Sequence, residues 1–105
     1  MAEVSWTSGA LEDIDAIAAY IALDSTFRAG QQVSRILAVE ALLERFPNGG
    51  RRVPEMRNTA IREVILPPYR ILYHVDAKHD LVVVLAVIHS RRKLPGTVVR
   101  KRRPR

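Results

Sequence analysis

Hydrophobic and polar positions fall into two periods along this chain, and the switch between them occurs near residue 60. Before it the spacing is helical. Val4 and Trp6 alternate with polar neighbours, which predicts a short edge-type strand over Glu3–Trp6. Leu11, Ile14, Ile17, Ala18 and Ile21 then recur at three- and four-residue intervals, predicting a helix from about Ser8 to Leu23. Thr7 or Ser8 can cap it, and Glu12 and Asp13 lie near its positive end. Asp24-Ser25-Thr26 interrupts the stripe and supplies a second cap. Ala29, Val33, Ile36, Leu37, Leu43 and Phe46 form a second, wider stripe that stops at Pro47-Asn48-Gly49-Gly50. Two amphipathic helices with so short a link form an antiparallel hairpin. Glu40 falls inside the second stripe, where it is expected to reach solvent or pair with an arginine.

From Gly49 to Ala60 the chain is polar and turn-rich, and a loop is predicted. The following segments, Ile61–Leu66, Tyr69–Asp76 and Leu81–Ser90, are rich in Val, Ile, Leu and Tyr and predict strands. Pro67-Pro68 separates the first two. Proline cannot adopt the positive φ of a two-residue type I′ turn, so a wider or distorted link is expected. Asp76–Asp80 is an ordinary polar hairpin loop. Leu81–Ile88 is apolar at every position, which predicts a central strand buried on both faces. The expected fold is α+β: an N-terminal strand, a two-helix antiparallel hairpin, then a three-stranded antiparallel meander (βααβββ). The helices cover one sheet face, and the other is left partly open unless a partner covers it.

Composition sharpens this picture. The 105 residues suit one domain, and the chain has no cysteine, hence neither disulfide nor thiolate chemistry. The longest apolar run is too short to span a bilayer, and the first residues lack a secretory pattern, so a cytoplasmic location without membrane attachment is expected. The net charge of +6 is unevenly spread. Residues 1–50 hold three basic side chains against seven acidic, whereas residues 51–105 hold fourteen against four. Eight of the seventeen basic residues lie in the last fifteen positions, with no acidic residue among them. A folded domain over residues 1–93 followed by a mobile basic tail over 94–105 is therefore expected, the tail meeting phosphates or an acidic protein. Glycine-rich phosphate loops, GxSxG and HExxH are missing, and the three histidines are not at chelating spacing, so no metal or cofactor is expected.

The second half of the chain carries a set of short motifs. It reads Gly-Gly-Arg51-Arg52-Val-Pro-Glu55, then Ile61-Arg62-Glu63-Val64, then Tyr69-Arg70-Ile71-Leu72-Tyr73, then His89-Ser90-Arg91-Arg92. In this order and spacing they resemble the RelE/ParE toxin superfamily, whose members carry a GR..PE loop, an "RE" strand, a "YRI.Y.V" strand and an "H..R" ending. Trp6 before the first helix and Tyr20-Ile21 near its end agree with it, so the resemblance spans about residues 3–93. It implies a toxin neutralised in a hetero-oligomer by a cognate antitoxin, ParD-like or RelB-like, with DNA gyrase or ribosome-bound mRNA as target and no small-molecule cofactor.

The two branches differ in chemistry. Metal-free RNA cleavage needs a base for the 2′-hydroxyl, a cation for the phosphate and an acid for the leaving oxygen. The resemblance implies Arg70 as the phosphate contact and Glu55 and His89 as the base and acid of a YoeB-like nuclease, with Arg62, Arg91 and Arg92 as further phosphate or target contacts. Against that reading, Lys78 is the one lysine between Arg51 and Ser90, and the last tyrosine is Tyr73. The ending His89-Ser-Arg-Arg-Lys resembles ParE more than RelE. ParE-like gyrase inhibition is thus the preferred expectation, a ribosome-dependent endoribonuclease the first alternative, and a basic nucleic-acid-binding module without toxin activity the second. Each candidate also has a plainer role. Adjacent strand residues Arg62 and Glu63 face opposite ways, which suits Glu63 to a cross-strand ion pair. Arg70 can be a solvated strand arginine, Glu55 a loop ion-pair partner, and His89 a cap on the sheet edge.

Overall fold

A computed structural model of the chain describes residues 1–56 and 60–92. The expected basic tail over 94–105, and with it the boundary at residue 93, lies outside the described residues. Eight elements follow one another: β1 (Glu3–Trp6), α1 (Ser8–Ala22), α2 (Thr26–Leu37), α3 (Val39–Arg45), β2 (Arg51–Arg52), β3 (Ile61–Leu66), β4 (Tyr69–Asp76) and β5 (Leu81–His89). The strands form one sheet in the order β1-β5-β4-β3-β2. β1 runs parallel to β5, and the remaining pairs are antiparallel.

Local chemistry accounts for the helical half. Thr7 caps α1, its hydroxyl accepting from the Ala10 amide, and Ser25 caps α2 by accepting from the Arg28 amide. The second apolar stripe is one arm broken at Ala38, which keeps αR dihedrals between α2 and α3. The helices lie over one face of the sheet. Ala10, Ile14, Ile36, Val39 and Leu43 pack there with Ile71, Tyr73, Val82, Val84 and Val87. Trp6 joins this core, and its indole Nε1 donates to Glu40 Oε1 at 2.7 Å. Glu40 therefore neither reaches solvent alone nor pairs with arginine, as its position had suggested. It satisfies the one polar atom of a packed aromatic.

Two features of the sheet depart from expectation, and one narrows it. First, β2 forms inside the predicted loop, two exposed arginines pairing with Arg62 and Glu63. Second, of the wider or distorted link expected through Pro67-Pro68, the distorted form is present: the link is two residues long, because Leu66 pairs directly with Tyr69. The peptide between the prolines is cis, as in turns with cis-proline at the third position. Third, the face opposite the helices is not open. Val53, Ile61, Leu72, Val83, Leu85, Ala86 and Ile88 are buried there, and the loop residues Val53 and Met56 close over it. A bulge in β5 helps, since Val84 pairs with Tyr73 and Ala86 with Leu72, leaving Leu85 extra and turning it to the same side as Ala86.

β1 covers only Leu81–Val84 of β5, so the rest of that central strand needs other partners. The start of α1 supplies them. The Thr7 amide donates to Val84, the Thr7 hydroxyl to the Leu85 carbonyl at 3.1 Å, and Asp13 Oδ2 accepts from the Val87 amide at 3.0 Å. Helix side chains thus complete a sheet edge that strand pairing leaves unfinished. Asp13→Ala is expected to cost about 1–3 kcal/mol by removing that acceptor. Urea unfolding checks it, and a change below about 0.5 kcal/mol, the scale of ordinary surface substitutions, would contradict the assignment.

Candidate functional site

The register of β3 and β4 decides which motif residues meet. Side chains alternate along a strand, so Glu63 and Arg70 point to the face opposite the helices while Arg62 and Tyr69 point toward them. The loop carrying Val53 and Met56 brings Glu55 over the same outer face. Arg51 on β2 stands opposite Glu63 and adds a second guanidinium.

These four side chains close into one network. Arg70 Nε donates to Glu63 Oε1 at 2.6 Å. Its Nη1 and Nη2 donate to the two oxygens of Glu55, at 3.1 and 3.0 Å. Arg51 Nε donates to the other Glu63 oxygen at 2.6 Å. The Glu63 side chain is fully buried and that of Arg70 is 8% exposed, while Glu55 and Arg51 sit at the rim. Two cations and two anions leave the cluster formally neutral. The fork of Arg70 meets Glu55 in bidentate fashion, the strongest common form of this contact. Glu55 raises the Arg70 guanidinium above its ordinary proton affinity, outweighing the opposing effect of burial. Arg70 is therefore no solvated strand arginine, and Glu63 is the cross-strand partner its position suggested.

On the helix side of the sheet, Tyr73 is fully buried and its hydroxyl accepts from the Gly50 amide at 2.9 Å. Burial pushes its phenol above the usual range, the Gly50 bond opposing. Arg62 Nη1 donates to the Gly50 carbonyl at 2.8 Å. Gly50 is held from both sides, and a Cβ there would stand 2.5 Å from the Glu63 carbonyl oxygen and the Tyr73 hydroxyl. Only glycine lets β2 come this close to β3.

His89 is placed differently. It pairs with Tyr69 across β4 and β5, and the two rings meet edge to face with centroids 5.9 Å apart. Tyr69 packs on the helix-side core, whereas Arg70 pairs with Ile88 of the opposite cluster. His89 and Arg70 thus lie on opposite faces. The exposed His89 ring accepts from the Arg91 amide through Nδ1, which leaves the proton on Nε2 in the neutral ring. Arg91 and Arg92 follow in an exposed turn. Of the sequence-identified set, the structure brings together Glu55 and Arg70, joins them to Glu63 and Arg51, and holds Arg62 and His89 on the other side. The roles of Glu40, Asp13 and Gly50 were not foreseen. Among them, Gly50 carried a signal, a second glycine directly before the paired arginines.

The chemical consequence is specific. Three N–H groups of Arg70 and both oxygens of Glu55 are engaged with one another or with Glu63. Beside them runs a shallow cleft lined by Arg51, Pro54, Glu55, Ile65, Arg70 and Ser90. Among the described residues, no helix is long and apolar enough to cross a membrane.

Comparison with known proteins agrees with this arrangement of elements. The family described as "ParE toxin of type II toxin-antitoxin system, parDE" matches residues 4–94. Toxin RelE2 of Caulobacter vibrioides is 34% identical over 93 residues, covering 88% of this chain and 99% of that protein. A solved structure of the chromosomal ParDE toxin–antitoxin system from P. aeruginosa aligns with a TM-score of 0.69 at 25% identity, covering 85% of this chain and 96% of that one. The toxin–antitoxin complex RelBE2 from Mycobacterium tuberculosis shares the fold, with a TM-score of 0.62 at 22% identity over 84% of this chain and 90% of its own. From its strand order, its motif register and these matches together, the chain belongs to the ParE toxin family, within the RelE/ParE superfamily, and is the toxin of a type II toxin–antitoxin system.

Proposed function

We propose that this toxin inhibits DNA gyrase in the ParE manner, in the cytoplasm, and has no nuclease chemistry of its own. One observation carries this reading. Glu55 and Arg70 satisfy each other, while His89 lies across the sheet from both. General acid–base cleavage needs its base, cation and acid around one phosphate. The likeness to the P. aeruginosa ParDE system supports the same branch. On this reading a ParD-like antitoxin holds the toxin in a hetero-oligomer. The target is met by the helix hairpin, whose tip exposes Tyr20, Leu23 and Phe27, together with Arg91, Arg92 and the basic segment after Lys93.

A second reading has one observation in its favour, the 34% identity to a protein named Toxin RelE2. It would make Arg70, Glu55 and His89 the reacting groups of a ribosome-dependent endoribonuclease. Alanine at His89 separates the two. Under gyrase inhibition His89→Ala leaves growth arrest within about twofold of wild type, as suits an exposed surface residue, and removing residues 94–105 weakens it. Loss of a general acid would instead reduce activity about 10²–10⁴-fold with the fold intact. Dose–response curves of growth against inducer, with circular dichroism of each variant, make the comparison.

A further inference from the structure

The link from α3 to β2 is a tight turn with a labile dipeptide at its apex. Asn48 is exposed, and the Gly49 amide closes the turn by donating to the Phe46 carbonyl at 2.9 Å. A Cβ on Gly49 would stand 3.1 Å from that carbonyl oxygen and 3.2 Å from the Phe46 Cβ, so close packing favours glycine after Asn48. The other asparagine of the chain, Asn58, is followed by Thr59. An asparagine side-chain amide is open to attack by the backbone nitrogen of the next residue. Glycine, with no side chain, hinders that attack least, whereas a β-branched residue shields the nitrogen. The bond from Gly49 to Phe46 holds the nitrogen back while the turn is closed. A single bond in an exposed turn opens at small cost in free energy.

We propose that Asn48 is a site of spontaneous deamidation, and that its isoaspartate product releases the lock on β2. The Gly49 nitrogen gives its proton to solvent and bonds to the side-chain carbonyl carbon of Asn48. The side-chain nitrogen takes up a proton and leaves as ammonia, and a five-membered cyclic imide remains. Water then adds to either imide carbonyl. One opening gives aspartate. The other gives isoaspartate, whose main chain runs through the former side chain and is one carbon longer. Water is the only co-reactant, and nothing is oxidised or reduced.

The longer main chain matters because Gly50, two residues on, has no slack. Its amide donates to the Tyr73 hydroxyl at 2.9 Å, and its carbonyl accepts from Arg62 at 2.8 Å. Its Cα is packed so closely that an added Cβ would stand 2.5 Å from the Glu63 carbonyl oxygen. A carbon inserted upstream displaces Gly50 from this clamp. Arg51 moves with it, and Arg51 is one of the two guanidinium groups that hold the buried carboxylate of Glu63. Copies of the chain that persist unreplaced thus lose the β2 pairing with age. This holds whichever target the toxin meets.

The full chain, kept in warm neutral buffer and sampled by peptide mass spectrometry, tests the proposal. Asn48 is expected to gain one mass unit at least about tenfold faster than Asn58, as the side chains that follow them dictate. An isoaspartate-specific methyltransferase is expected to label the aged chain, and exchange of the Gly50 amide to quicken in step with that label. Asn48→Gln, which would have to close a larger ring, should lose the mass gain and keep the Gly50 amide slow with age. Freshly prepared Asn48→Asp carries the new charge on an unchanged main chain, and its Gly50 amide should stay slow as well. An Asn48 that remains intact while the same chain in urea loses ammonia would show that the closed turn protects it, and would overturn the proposal. Modification confined to Asn58 would do the same. So would an aged chain rich in isoaspartate whose Gly50 amide still exchanges slowly, or a fresh Asn48→Asp whose Gly50 amide exchanges as fast as that of the aged chain.

Discussion

Arg70→Ala is expected to lower stability by about 3–5 kcal/mol, the cost of removing one partner from a buried ion pair. Glu63 would remain in a fully buried position with Arg51 alone, and Glu55 would lose both of its bidentate contacts. For a domain of this size each kcal/mol corresponds to roughly 4–8 °C in the unfolding midpoint, so the variant should melt well over 10 °C below wild type. The cause is uncompensated charge more than lost attraction. A triple replacement, Arg70→Met with Glu63→Leu and Glu55→Gln, should therefore recover most of the loss. A purely phosphate-binding arginine would behave in the opposite way. Its removal would leave the melting temperature unchanged or raise it, because no anion of the protein would be left unpaired. Calorimetry on the single and triple variants distinguishes the two. The result also bears on how alanine scanning of this toxin is read, since loss of growth arrest in Arg70→Ala would report unfolding unless the folded fraction is measured alongside.

Leu85→Ala is the second large effect, at about 2–5 kcal/mol for a buried leucine truncated in a closed core. Leu85 has no exposed surface, and the bulge in β5 places it in the cluster opposite the helices. Its carbonyl is held by the Thr7 hydroxyl, so the backbone has little freedom to collapse into the space left behind. The control is Leu23→Ala. Leu23 is 86% exposed at the hairpin tip, and its truncation should change stability by no more than about 0.5 kcal/mol. If Leu85→Ala proved as mild as Leu23→Ala in urea unfolding, the second sheet face would be open in solution, as the layering of both helices on one face had suggested.

Those two residues mark what could be read from the sequence. Leu81–Ile88 announced a doubly buried strand because eight consecutive apolar residues suit no other place in a small α+β fold. The helix hairpin was equally plain, since both stripes hold their period and both caps, Thr7 and Ser25, are local. What escaped depends on contacts distant in sequence. β2 has two residues and no alternation, and it exists only because Arg51 and Arg52 find Glu63 and Arg62. The cover of the second face comes from Val53 and Met56, set in a segment whose composition reads as a turn. The fate of Glu40 was fixed by Trp6, thirty-four residues away. The candidate site was legible in identity and less so in arrangement. Alternation placed Arg62 and Glu63 on opposite faces and favoured an ion pair for Glu63, and the arginines near its loop favoured one for Glu55. That Arg70 would be buried between those two carboxylates, with His89 on the other side, required the register of three strands at once.

The central claim is that this toxin acts on gyrase and does not cut RNA. Its most direct test is to induce the chain without its antitoxin and to follow DNA and mRNA in the same cells. Gyrase-linked DNA breaks and filamentation with intact messages are the predicted result, and they should persist in His89→Ala. Messages cut at codon-related positions while DNA stays whole would contradict the account, and would require the Glu55–Arg70 pair to open when the toxin meets its target.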